Sequence, residues 1–507
     1  LGENAVNPLI EALNTKDSFL KQQVISLLGH IKDKRALADL KRILESPKEL
    51  DAVKQYAKTA IQEITGRPPI TLPSAKVLFY QKALAYYNDK KEYSQLHKNN
   101  WLFWKLIDNK FVYKEVPSPI YNEIMAEEAC YNALELDTAF KEAWALLIRV
   151  YYAQYIEITA MQKAISEKRI EVDKKKLQNF LQEVPFANRA KKLASCAGSN
   201  ILYTALKSSI ANKNKRPKVT IQILNDIGEV CKNKEILPHS LIACLSNKDK
   251  RIQYEAAKAI AKINPIRTFG EIKKVIQILK EVIESETEKE LKGQEEADTL
   301  IVKDALMALV SVRPRSSLFP YLKEVKGLLK KNLSNKDDFI RLSAIKILAK
   351  IGDKEVITDL INIVIRKDIN LGIRQEAVYA LGQIFNRTNK QINKDNAYKL
   401  VTIFEERVPQ EDTAKKHILF RLKDSIYYLL GQANMTLDVQ REIFKKYRVH
   451  KITLVQPVKK VAKKKKEAEK VDTKKQEKEE KNKKKEEEDT WADEDWSEDE
   501  NFQDDEW

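Results

Sequence analysis

Apolar residues recur along this chain at offsets of three, four and seven, inside a segment that occurs four times. Each copy opens on a Lys-Asp pair and closes on Ile: Lys16-Asp17 leads to Ile31, Lys248-Asp249 to Ile263, Lys336-Asp337 to Ile351 and Lys367-Asp368 to Ile384. The first three copies align without a gap, and the fourth carries two extra residues. The first apolar site holds Val24, Ala256, Ala344 and Ala377; the next holds Leu27, Ala259, Ile347 and Ala380; the third holds Leu28, Ile260, Leu348 and Leu381. Such spacing places one apolar stripe on one face of an α-helix. Gly29, Ala261, Ala349 and Gly382 set a small residue beside the stripe, which predicts close approach of a neighbouring helix. Partner helices are expected upstream, as at residues 6–13 and 356–364. Each Asp stands where it can accept the free N–H groups at the start of its helix. One hairpin cannot bury its own stripe, so the pattern predicts stacked hairpins, an α-solenoid.

The Pro8-Leu9…Ala12-Leu13 opening, the Asp turn and the Leu28-Gly29-x-Ile31 close resemble the HEAT-repeat family, in particular the short-repeat type also found in bilin-lyase-like proteins. The resemblance covers about 1–65 and 235–390, with irregular helices expected over most of the remainder up to about 450. It implies an all-α fold built from HEAT-type helical hairpins. HEAT arrays host transport adaptors, scaffolds, enzyme subunits and DNA-binding proteins, so the resemblance is specific for fold rather than function.

Breaks in the pattern divide the chain. N-terminal repeats occupy 1–66 and stop at Gly66-Arg67-Pro68-Pro69. An irregular helical insert is expected over 74–234, opening with an amphipathic helix at 77–87. Residues 101–113 alternate and turn at Asp108-Asn109, as a β-hairpin does. Trp101 and Trp104 in that stretch fit a hydrophobic plug between helices better than a peptide-binding pair. Around 120–153 the spacing resembles one degenerate tetratricopeptide unit, with Thr138 where that family usually has Pro. Helix breaks are expected at Pro185 and near Gly198. C-terminal repeats fill 235–450.

Charge changes the picture most at the C-terminus. The whole chain carries +17, yet 451–485 hold 15 Lys against 6 acidic residues, and 486–507 hold 13 acidic residues with no Lys or Arg. The body up to 450 is therefore near +21. A body this basic favours an acidic partner. Residues 457–485 read as a Lys-rich disordered linker, since so few apolar residues cannot offset the entropy of ordering. In a eukaryotic source, residues 459–466 would also suit a nuclear-import signal, although a solvated Lys run is the simpler reading. Residues 486–507 form an acidic segment with Trp491, Trp496, Phe502 and Trp507 spaced five or six apart. Solvated tails are poor in indoles, so these aromatics are expected to be docking anchors, with the carboxylates steering toward a basic surface.

A second candidate surface lies opposite the apolar stripe. Lys258 and Lys262 stand one helical turn apart, as do Lys346 and Lys350, while Arg341 and Arg374 sit near the starts of their helices. Together they could line a basic stripe for phosphates or for the acidic tail folded back on it, although a solvated polar face is the simpler reading. Aromatic interleaving for base stacking is thin.

No Gly-rich phosphate loop, HExxH, GxSxG or CxxC pair occurs, and the five histidines lack ligand spacing. No catalytic residue, cofactor or metal is therefore expected. The reading is a non-enzymatic scaffold for protein partners, with nucleic-acid association as the alternative; a lyase-type subunit would require a bound chromophore or cofactor. Scattered cysteines and the lack of a spanning apolar run point to the cytoplasm. The chain opens at Leu1 inside a repeat, so its natural N-terminus and any signal peptide are expected upstream.

Overall fold

The computed structural model describes residues 5–90, 93, 102–170, 174–211, 216–232, 235–291, 299–388, 392–407, 412–432, 441–442 and 445. Among them are twenty α-helices and one two-stranded sheet, and the fold is an all-α solenoid of helical hairpins. Two compact units are present, Leu1–Ile347 and Leu348–Trp507; the division falls inside one helix, Asp338–Ile351.

The first unit opens with α1 (Val6–Ala12), α2 (Ser18–Ile31), α3 (Leu37–Glu45) and α4 (Asp51–Thr65). Val6, Ile10, Ile25, Leu28, Leu40, Val53, Ala57 and Ile61 form their shared core. Next, α5 (Ala75–Tyr87) continues the packing against α3. The strands β1 (Leu102–Ile107) and β2 (Lys110–Glu115) then pair antiparallel, with Trp104 opposite Tyr113. Asp108 and Asn109 both take positive φ, +50° and +58°, as a type I′ turn requires.

Two long helices, α6 (Tyr121–Leu136) and α7 (Lys141–Ser166), form a hairpin that also packs on α5 and on α8 (Lys174–Ser195). The break expected at Pro185 is absent: α8 runs straight through it. Phe180, Ala187, Ala190 and Ala194 of α8 are buried. Their packing outweighs the backbone hydrogen bond that Pro removes. The unit continues through α9 (Gly198–Ala211), α10 (Pro217–Val230), α11 (His239–Ala243), α12 (Lys250–Ile263), α13 (Ile272–Leu291), α14 (Thr299–Ser311), α15 (Lys326–Asn332) and the start of α16 (Asp338–Ile351). The second unit holds α17 (Lys354–Ile365), α18 (Leu371–Thr388), α19 (Lys394–Val401) and α20 (Thr413–Gln432).

The repeated helices are α2, α12, α16 and α18. Their stripe is buried at every aligned position except Leu27 and Ile31 of α2, which are half-buried; Ile25 faces the core there as well. Asp17, Asp249 and Asp337 cap their helices as expected, accepting from the amides of Phe19 (2.9 Å), Arg251 (2.9 Å) and Phe339 (2.9 Å). The fourth copy differs. Its two extra residues move the cap to Asn370, whose Oδ1 accepts from Gly372 N at 2.8 Å, and Asp368 instead pairs with Arg366.

Candidate functional site

The six basic positions on the repeated helices divide by what surrounds them. Arg374 is buried: both Nη atoms donate to Glu406, at 2.7 and 2.9 Å, and Nε donates to the Val364 carbonyl at 2.6 Å. Arg341 is also buried, with Nη1 on Asp338 at 2.9 Å and Nε and Nη2 on the Asn335 carbonyl. Each residue stands four positions after its capping side chain, and each guanidinium turns back onto the preceding connection. The equivalent residues of the other two copies also make fixed contacts. Gln253 donates to the Asn247 carbonyl, and Lys21 pairs with Glu49 at 2.6 Å. In three copies this position latches the preceding turn, whereas Lys21 reaches the connection between α3 and α4.

Lys258 and Lys262 point sideways instead. Lys258 is buried, bonded to Glu255 (2.8 Å) on its own helix and to Asp304 (3.3 Å) on α14. Lys262 reaches Glu229 of α10 at 2.5 Å. Burial drives the Glu255 carboxyl above the usual carboxylate range despite Lys258, whereas the Lys262 hydrogen bond holds Glu229 below it. Lys258, Arg341 and Arg374, weighed above as part of a basic stripe, thus direct their charges to partners within the chain. Lys346 and Lys350 are half-buried. A Lys or Arg on a polar helical position does not reveal whether its head group returns to its own backbone, so the pattern alone left this undecided.

The insert holds a cleft that the sequence did not announce, of about 410 Å³, between the hairpin, α6, α7 and α8. Phe103, Ile124, Phe186 and Leu193 supply apolar wall. Three carboxylates enter it, each with a partner: Glu183 with Lys114, Glu128 with Lys105, and Glu127 with Gln154 at 2.6 Å. Burial raises the Glu127 carboxyl above its ordinary range, more than the Gln154 amide lowers it. The Tyr131 and Tyr151 hydroxyls pair across the cleft wall. Each carboxylate is thus held by a partner within the chain, and the apolar wall suits an inserted apolar side chain. Its components lie on consecutive elements spread over residues 103–193, and no spacing rule links them. Trp104 of the hairpin is half-buried and packs on Tyr113 at 5.1 Å between ring centroids; Trp101 lies outside the described residues.

Trp491, Trp496, Phe502 and Trp507 also lie outside the described residues. Cys130, Cys231 and Cys244 are buried and Cys196 is exposed, and none of the four is in a disulfide. Among the described residues no group of three or more His, Cys, Asp or Glu could hold a metal ion, and no helix is long and apolar enough to cross a membrane.

Residues 340–365 match the family model for the PBS lyase HEAT-like repeat. The repeats are thus HEAT-type hairpins. No curated protein matches the chain. Solved structures similar to it include Kap95p from work on its binding to RanGDP, at 10% identity and a TM-score of 0.36, covering 88% of this chain and 59% of that one. UNC-45 from Drosophila melanogaster is similar at 14% identity and a TM-score of 0.35, covering 89% of this chain and 63% of UNC-45. An engineered protein is similar at 17% identity and a TM-score of 0.28, over 44% of this chain and 96% of its own. The chain thus spans about three-fifths of the length of the two natural proteins.

Proposed function

We propose that the chain is a non-enzymatic helical-repeat scaffold for protein partners, and that its acidic segment 486–507 docks on a basic protein surface through Trp491, Trp496, Phe502 and Trp507. One observation carries the choice of partner class. Four of the six cations on the repeated helices latch turns or join neighbouring helices, as Arg374 does with Glu406 and Lys262 with Glu229. A phosphate-binding face would need those charges open to solvent, because its affinity comes from replacing counterions on the nucleic acid. The same fact favours docking of the acidic segment on another protein over docking on those lysines and arginines. Four cysteines that form no disulfide support a reducing compartment such as the cytoplasm.

Affinity capture with the full chain and with a 1–485 truncation, each with and without nuclease, tests this reading. Proteins retained by the full chain and lost with the truncation, irrespective of nuclease, are expected. Partners held equally by both forms and released by nuclease would transfer the function to nucleic acid.

A further inference from the structure

A second concavity lies away from both the repeated helices and the hairpin cleft. It is a groove of about 560 Å³ between α7 and α10. Ile156, Ala160 and Ile221 form its apolar floor, and Lys163, Arg169 and Lys218 stand at its rim. The rim is fixed by local structure. α7 ends with Lys168 at φ +55°, whose amide donates to the Ile165 carbonyl, while the Arg169 amide donates to Ala164 O at 2.9 Å. This paired closure of the helix end turns the chain back and brings Arg169 to the mouth of the groove. A fourth cation, Lys191 of α8, sits 4.2 Å from the centre of the Tyr155 ring, which also lines the groove.

Among the described residues one carboxylate, Glu167, stands against these four cations; it pairs with Arg169 and lies 3.9 Å from Lys163. Lys218 makes no ion pair among the described residues. The groove therefore combines an apolar floor with surplus positive charge, and its volume is in the range that holds a ligand or a few inserted side chains, roughly 300–1,000 Å³. An apolar floor alone would accept any greasy segment; the cationic rim selects one that carries acids beside its anchors.

We infer that the α7/α10 groove is a docking site for an acidic peptide segment of a partner protein, one with an aromatic or aliphatic anchor among its carboxylates. This goes beyond the scaffold reading and is independent of where segment 486–507 docks, so either can fail alone.

The test uses the purified full chain and a fluorescein-labelled synthetic peptide of glutamates interrupted by two tryptophans, followed by fluorescence anisotropy. Saturable binding is expected, with hydrogen-exchange protection at 156–169 and 217–222. The double variant Lys163→Glu/Lys218→Glu should weaken binding about ten-fold with an unchanged circular dichroism spectrum. Both side chains are at the surface, and an acid at Lys218 suits the start of α10. Ala160→Trp, which fills the groove from an exposed position, should weaken binding by a similar factor. Absence of binding, unchanged affinity in both variants, or protection confined to other helices would overturn the inference. So would displacement of the peptide by a single-stranded oligonucleotide that itself binds more weakly to the Lys163→Glu/Lys218→Glu variant, since the site would then be a phosphate site.

Discussion

A methyl group added at Gly29 would lie 2.9 Å from the Ala60 Cα and 2.6 Å from Glu63 Oε2, closer than carbon atoms settle without movement of the α4 backbone. Gly382 occupies the same repeat position, yet its nearest neighbour is Leu429 Cδ1 at 3.8 Å, an ordinary contact. Gly29→Ala should therefore destabilise the chain by about 1–3 kcal/mol through overpacking. Gly382→Ala should stabilise it by about 0.5–1 kcal/mol, since Gly is the poorer helix former. Chemical-denaturation midpoints that shift equally for both would contradict this contrast. At Asp337, burial alone would raise the carboxyl, but the Lys303 ammonium at 2.6 Å and the amides of Ile340 and Phe339 outweigh it and hold it below its ordinary 3.8. A lowered carboxyl stabilises the fold above its unfolded value, and that contribution is lost as pH falls through the folded one. The melting-point deficit of Asp337→Asn should accordingly narrow between about pH 6 and about pH 3. A constant deficit would mean the carboxylate charge plays no part. Residue roles were legible where geometry is local. The capping of Asp17, Asp249 and Asp337 follows from their place before an apolar-periodic run, but the shift from Asp368 to Asn370 depended on where two extra residues were absorbed.

At the scale of elements, the four stripes and the hairpin turn were readable because period and turn chemistry act within a few residues. α8 was not. Pro185 is a strong local stop, and only burial of Phe180, Ala187, Ala190 and Ala194 explains why the helix continues. Pro185→Ala should restore a backbone hydrogen bond and raise stability by about 1–3 kcal/mol. A lower thermal midpoint would instead show that packing requires the bend that proline imposes. The hairpin cleft and the α7/α10 groove share the reason they escaped the sequence. Each is made where separate elements converge, and the pairing of Glu183 with Lys114 or the meeting of Ile156 with Ile221 is a product of packing.

For the whole molecule, a stacked array draws its stability from neighbouring repeats, so damage should stay regional. Arg374→Ala would remove the buried guanidinium and leave the half-buried Glu406 without its cation, a loss of charged hydrogen bonds that should destabilise by roughly 1–3 kcal/mol. Hydrogen exchange is expected to accelerate across 354–407 while residues 5–332 keep their protection; a uniform rise would imply one cooperative body. The turn latches carry a consequence of a different kind. Arg341 travels with Asn335, and Arg374 with the Val364 carbonyl ten residues before it, so these backbone contacts are encoded within one hairpin. Lys262 with Glu229, and Lys258 with Asp304, join separate hairpins. A gene segment encoding one hairpin could thus be duplicated or deleted as a cassette with its turn intact, while the ion-pair seams at its borders, the lysine pairs and Arg374 with Glu406, would have to be matched anew.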